Sequence, residues 1–203
     1  MNQSGNGSNG VGILMRENLS GQPISINWLN EIIIPAINLF YNPSAGTDSI
    51  PLNMPETDIT AKIRSNMELY LHALQPRRLL AEDIVIDSDC ELEKIATDAC
   101  NSCFEMGCLI KMTAYGVSAI IPDILIHRRG SDESNKVAIE FKKAENDSPN
   151  ERAHDRAKLT YLTCHNSRYK YDNGYFIDLY EGGYAITNTL AKNTTIYPVH
   201  ISG

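Results

Sequence analysis

The sequence predicts a mixed α/β domain, and three observations carry that expectation. Segments with apolar residues at helical spacing and short β-branched runs follow one another in the order helix, three strands, helix, strand. A length of 203 residues suits one domain able to bury a sizeable core without a disulfide or a metal. Hydrophobic residues at 42% and charged residues at 21% are ordinary globular values, which excludes a wholly disordered chain.

Residues 1–12 hold four Gly and two Ser and are expected to form a flexible tail. Residues 13–107 are expected to be a mainly helical N-terminal part, packed on an α/β core over 108–203. Within 24–40, Ile26, Leu29, Ile33, Ile37 and Phe40 recur at steps of three and four, the period of a helix. A loop rich in Asn, Pro, Ser and Gly follows over 41–55. Thr57 or Asp58 then suits the cap of a second helix, with Ile59, Ile63, Met67, Leu71 and Leu74 inward and Pro76 ending it.

The stretch 81–108 reads two ways. Residues 83–87 (DIVID) suit a short strand, and Ser88 or Asp89 suits the cap of a helix closed by Gly107. Glu91 and Glu93 would then face the positive end of the helix dipole, and Glu91 falls either on the strand or in that first turn.

From 108 the pattern turns β. Runs over 109–115 and 119–127, joined through Gly116, fit a hairpin, and a polar turn over 128–135 leads to a third run over 136–143. Pro149 and Asn150 open a helix to about Cys164, with Ala153, Ala157, Leu159 and Leu162 inward. A fourth strand over 175–180, a Gly-Gly turn and a run over 184–187 complete the order.

No apolar run approaches the roughly 18 residues of a membrane span, since the longest, 32–40, is cut by Pro35 and Asn38. The N-terminus shows neither the basic region nor the apolar run of a secretory signal. A cytoplasmic protein with no membrane partner is therefore expected. Five cysteines, an odd number, fit reduced thiols. Cys100, Cys103 and Cys108 form Cys-x2-Cys-x4-Cys, with Cys90 ten residues earlier, but no second close pair completes a four-ligand set. Buried thiols are the expectation there, with Cys164 the fifth.

The net charge of −7 argues against a protein that coats nucleic acid non-specifically. Residues 1–127 carry 7 Lys/Arg against 15 Asp/Glu, whereas residues 128–170 carry 10 against 7. The one net-basic stretch overlaps the segment that carries chemistry, IIPDILIHRRGSDESNKVAIEFKKAEN over 120–146. On its third strand Glu140 and Lys142 share a face, and Asp123 opens the preceding antiparallel strand. Two carboxylates and an ammonium would then converge on one patch. Carboxylate oxygens suit Mg²⁺, and a lysine can orient water or neutralise charge on a phosphorane-like transition state. Singly, each feature has a plain reading: Pro-Asp often just begins a strand, and Glu-x-Lys is often a solvated ion pair. Together they sit among Ile120, Ile121, Ile124, Ile126, Val137, Ile139 and Phe141, all expected to be buried.

Pro122-Asp123, a gap of sixteen residues and Glu140-Phe141-Lys142 resemble the signature of the PD-(D/E)xK nuclease superfamily, which holds restriction endonucleases, junction resolvases and RecB-type nucleases. The words Asp-Ile-Leu-Ile-His-Arg-Arg-Gly and Val-Ala-Ile-Glu-Phe-Lys-Lys resemble small phage and bacterial members, and 155–163 resembles the helix that follows their third strand. The resemblance covers about residues 108–180. It implies a restriction-endonuclease-like core, a mixed four-stranded sheet flanked by helices, here with a helical N-terminal extension. It further implies Asp123 and Glu140 as ligands of Mg²⁺ or Mn²⁺, with the main-chain carbonyl of Phe141, and Lys142 positioning the water. Many members add a glutamate from the first core helix; Glu68 is the first candidate and Glu91 the second. Tyr161 is present on the later helix, but no glutamine precedes it at the RecB-type spacing.

Arg128, Arg129, Lys143, Arg152, Arg156, Lys158, Arg168 and Lys170 flank this segment and could meet phosphates. The interleaving of Glu151 and Asp155 with Arg152, Arg156 and Lys158 equally fits a solvated helix face. His127, His154 and His165 are scattered, and Tyr169, Tyr171 and Tyr175 fit base stacking or a core rim. The expected function is a metal-dependent endonuclease acting on DNA. The alternatives are a catalytically inactive binding or regulatory module on the same fold, with a protein partner at the acidic N-terminal part, or an endoribonuclease. A dimer is compatible with any of them.

Overall fold

A computed structural model describes residues 26–42, 54–74, 84–88, 121–129, 134–145, 148–165, 167 and 169–199. The helical spacing near the N-terminus is realised as a π-helical stretch, Leu29–Ile33, running directly into helix α1, Ile34–Tyr41, with Pro35 tolerated in the first turn. Ile33, Ile37 and Phe40 are buried as the spacing predicts.

Helix α2 spans Glu56–Leu74. It begins two residues earlier than a Thr57 cap requires and three earlier than an Asp58 cap, because the Pro55 carbonyl accepts from the N–H groups of Asp58 (3.1 Å) and Ile59 (3.2 Å). Glu56 is thereby the first helical residue, where a carboxylate meets the positive end of the dipole. Ile59, Ile63, Met67 and Leu71 form its buried stripe.

The sheet has six strands in the order β1 (Ile84–Ser88), β2 (Ile124–Arg128), β3 (Asn135–Lys143), β4 (Asn173–Tyr180), β5 (Gly183–Asn188) and β6 (Asn193–Pro198). β3 and β4 pair in parallel and every other neighbouring pair is antiparallel. The parallel pair is joined across α3, Pro149–Leu162, opened by Ser148, whose hydroxyl accepts from the Glu151 N–H.

Two expectations are corrected here. The sheet has six strands, because the run over 183–188 folds back on β4 and continues into β6. Gly182 makes the first of these turns at φ 79°, in the left-handed region. β6 is almost wholly exposed, so no apolar alternation marks it in the sequence. Nor is the N-terminal part only a helical extension: β1 pairs with β2 over five residues, from Ile84 opposite Arg128 to Ser88 opposite Ile124. Ser88 ends that strand. The tail over 1–12, the helix proposed after Asp89, Glu91, the strand over 109–115 and four of the five cysteines lie outside the described residues.

Strand alternation sorts the side chains into two cores. Ile84, Ile86, Ile124, Ile126, Val137, Ile139, Phe141, Ile177 and Leu179 pack against α1 and α2. Leu125, Ala138 and Phe176 face α3 with Ala157, Leu159, Leu162, Cys164, Tyr169 and Tyr171. The result is three layers, helices on each face of a mixed sheet. Tyr169, Tyr171 and Tyr175 are core residues, and Cys164 is buried in the α3-facing core with Tyr169 and Tyr171. Ile121, expected to be buried, is 46% exposed, because it precedes Pro122 and lies outside the ladder.

Candidate active site

Pro122 sets the backbone just ahead of β2, and Asp123 sits on the bend before Ile124. The Asp123 carboxylate accepts a 2.7 Å hydrogen bond from the Phe141 backbone N–H, tying the start of β2 to β3 beyond the last paired residues, Ile124 and Ile139. Glu140 and Lys142 project from β3 towards α3, away from Ile139 and Phe141.

Residues far apart in sequence complete the cluster. Lys142 Nζ lies 3.0 Å from Glu56 Oε1 and 3.2 Å from Asp155 Oδ2. Glu56 Oε2 also accepts from the Lys143 backbone N–H at 3.2 Å. From α3, Lys158 Nζ lies 2.6 Å from Glu140 Oε1 and 2.9 Å from Asp155 Oδ1, and it donates to the Ile121 carbonyl at 3.2 Å. A cleft lined by Glu56, Thr57, Thr60, Ala61, Ser88 and Asp123 gives access from the α2 side.

The charges are strongly perturbed. Burial pushes the Asp123 carboxyl up to about 6, although the Phe141 N–H and the ammoniums of Lys158 and Lys142 pull the other way. Glu140 is only 1% exposed. Its burial, with the neighbouring Asp123 charge, holds its carboxyl well above the usual range despite Lys158. Burial alone would lower Lys142, but Glu56 and Asp155 outweigh it and raise the ammonium above its ordinary value. Lys158 is raised on the same pattern, burial being overcome by Glu140 and Asp155. Both lysines are therefore cations at neutral pH, and both Asp123 and Glu140 hold their protons more tightly than a free carboxyl.

The donor set fits a hard, oxygen-seeking ion. Among the described residues, no three His, Cys, Asp or Glu side chains form a ready metal cage. Mg²⁺ needs no such cage, since one or two carboxylates, a carbonyl and water suffice. Glu140 Oε1 is buried, and its contact with Lys158 is a charge pair without hydrogen-bond alignment, which leaves acceptor capacity there.

Glu140 and Lys142 thus share the face of β3 that meets α3, and Asp123 lies at the junction of β2 and β3, near enough for its charge to act on Glu140. Glu68 does not join them. It lies twelve residues along α2 from Glu56, about 18 Å of helix rise, and pairs with Arg64 at 2.9 Å, which reaches Ser88 Oγ. Lys158, read from sequence as a phosphate contact, lies inside the site. Lys143 Nζ donates to the Met54 carbonyl at 3.1 Å. Arg152 pairs with Asp178, and both Arg152 and Arg156 lie over the Phe176 ring, at 5.4 and 4.9 Å from its centroid. Arg128, Arg129 and Arg156 are exposed.

Asp87 on β1 accepts from Arg129 and lies 3.1 Å from His127 Nε2. Burial would raise its carboxyl, but these two partners hold it below the usual range. His127 is thus a paired histidine and His165 is exposed. No described helix is long and apolar enough to cross a membrane.

Sequence reading missed Glu56 and Asp155. The signal for Asp155 was present, since 155, 158, 159 and 162 form one helical stripe that includes the buried Leu159 and Leu162. Comparison with protein-family models, with curated proteins and with solved structures finds no match to this chain.

Proposed function

We propose that this protein is a metal-dependent nuclease that hydrolyses DNA phosphodiester bonds at a PD-(D/E)xK-type site. The observation that carries the reading is the convergence of Asp123, Glu140 and Lys142 where β2 and β3 meet α3, with Asp123 tied to the Phe141 N–H and Lys142 held between Glu56 and Asp155. Two neighbouring acids that resist ionisation are a costly arrangement for structure alone. With all groups charged, the carboxylates of Glu56, Asp123, Glu140 and Asp155 outnumber the ammoniums of Lys142 and Lys158 that act on them among the described residues, a surplus of two that one divalent cation neutralises. The order of β1, β2, β3, α3 and β4, with the fourth strand parallel to the third, also supports a restriction-endonuclease-like core.

In this reading Asp123, Glu140 and the Phe141 carbonyl hold Mg²⁺ or Mn²⁺. The ion supplies Lewis acidity and a nucleophilic water at neutral pH. Lys142, kept cationic by Glu56 and Asp155, orients that water and offsets charge developing on the phosphoryl oxygens. It is an electrostatic group and not a proton acceptor. Arg156, exposed on α3 one residue beyond Asp155, is the cation that meets the phosphate backbone in this reading; Arg128 and Arg129 close β2 at the end away from Asp123, and Arg129 pairs with Asp87.

One observation favours a second reading, a binding module without a catalytic metal: the Lys158 ammonium already lies against Glu140 and Asp155. Anomalous diffraction from crystals soaked in Mn²⁺ separates the two. A peak between Asp123 and Glu140 is expected for the nuclease, and a site still spanned by Lys158 alone at saturating Mn²⁺ gives the binding module.

A further inference from the structure

Lys158 has surroundings unlike those of a surface lysine. Its residue is 9% exposed, and its ammonium meets three oxygens from three parts of the fold. These are Glu140 Oε1 on β3 at 2.6 Å, Asp155 Oδ1 on α3 at 2.9 Å and the Ile121 carbonyl before β2 at 3.2 Å. Two carboxylate oxygens and a carbonyl are the donors that a hard divalent cation takes. A buried ammonium is tolerated only where such partners compensate it. Lys158 is therefore held by the same chemistry that the site offers to a metal.

We propose that Lys158 is the resident cation of this site, and that a divalent ion enters by displacing its ammonium from Glu140. The inference rests on the reading of Asp123 and Glu140 as metal ligands. An ammonium 2.6 Å from Glu140 Oε1 and a divalent ion on the same carboxylate repel strongly at such range in a desolvated site. Asp155 provides the receiving position, because its Oδ1 already holds Lys158 while its Oδ2 faces Lys142 at 3.2 Å. The ammonium can swing off Glu140 and keep this partner. Lys158 then sets a threshold on metal affinity, and its head group becomes accessible only in the metal-loaded protein.

Reductive methylation of the full-length protein, read by peptide mass spectrometry with and without saturating Ca²⁺, tests this directly. Modification of Lys158 is expected to rise severalfold with Ca²⁺, while Lys136 and Lys170 stay constant. No rise in Lys158 modification overturns the proposal. Calorimetric titration of Mn²⁺ into Lys158→Gln provides a second readout, with binding expected to tighten about tenfold over wild type as a buried competing charge is removed; unchanged or weaker binding counts against it. A parallel DNA-cleavage assay keeps the two readings apart. Metal-dependent cleavage with Lys158 modification unchanged overturns the resident-cation proposal alone. A rise in modification without cleavage upholds it and rejects the nuclease.

Discussion

Glu56, the first residue of α2, holds Lys142 Nζ at 3.0 Å across 86 positions of sequence. The contact docks the N-terminus of α2 on β3 and keeps the lysine charged. Glu56→Ala is expected to lower metal-dependent turnover by about 100-fold, the scale of one misplaced electrostatic group. Its stability cost should be only about 1 kcal/mol, since Asp155 still pairs with Lys142. Single-turnover kinetics beside thermal melts check this; equal activity in the variant would remove Glu56 from the site.

Asp123 makes stability pH-dependent in a defined direction. Its folded value of about 6 lies above the ordinary 3.8, so between those values the folded chain binds more protons than the unfolded one. Its contribution to stability therefore falls as pH rises through that window and stays reduced above it. Asp123→Asn should be more stable than wild type in EDTA at pH 7.5, by up to about 3 kcal/mol, and the difference should shrink towards zero near pH 4. Divalent ion should raise the melting temperature of wild type and much less that of the variant. Melts across pH 4–8 in EDTA and in Mn²⁺ measure both effects.

Much of this was legible in the chain, and the misses share a cause. The stripe Ile59, Ile63, Met67 and Leu71 and the alternation of Val137, Ile139 and Phe141 against Glu140 and Lys142 are local periodicities, and local periodicity survives in sequence. The convergence of Asp123 with Glu140 follows from antiparallel pairing of two neighbouring strands. Glu56 reaches Lys142 only because α2 docks by its N-terminus, which no window of sequence contains. The inward turn of Asp155 and Lys158 was masked by their charge, which on an amphipathic helix usually signals solvent. β6 carries neither signal: Ile196 is 69% exposed, and only its pairing with β5 defines it.

Arg156 is exposed and lies 4.9 Å from the centroid of Phe176. Arg156→Ala should weaken DNA binding uniformly across sequences and reduce the slope of log affinity against log salt by about 1, as expected for one phosphate contact. The chemical step at saturating DNA should be unchanged. Fluorescence anisotropy over a salt series gives the slope; an unaltered slope would take Arg156 off the binding surface.

The central claim is that Asp123, Glu140 and Lys142 form a hydrolytic site, and metal-dependent cleavage tests it most directly. Purified wild type, Asp123→Ala and Lys142→Ala are incubated with single- and double-stranded DNA and with RNA, in Mg²⁺, Mn²⁺, Ca²⁺ or EDTA. The account expects wild type to cut DNA in Mg²⁺ or Mn²⁺ and not in Ca²⁺ or EDTA. Each variant should be folded and slower by roughly 1,000-fold, because positioned metal and charge each supply several kcal/mol. Cleavage undiminished in Asp123→Ala, or no cleavage of any substrate by wild type, would contradict it.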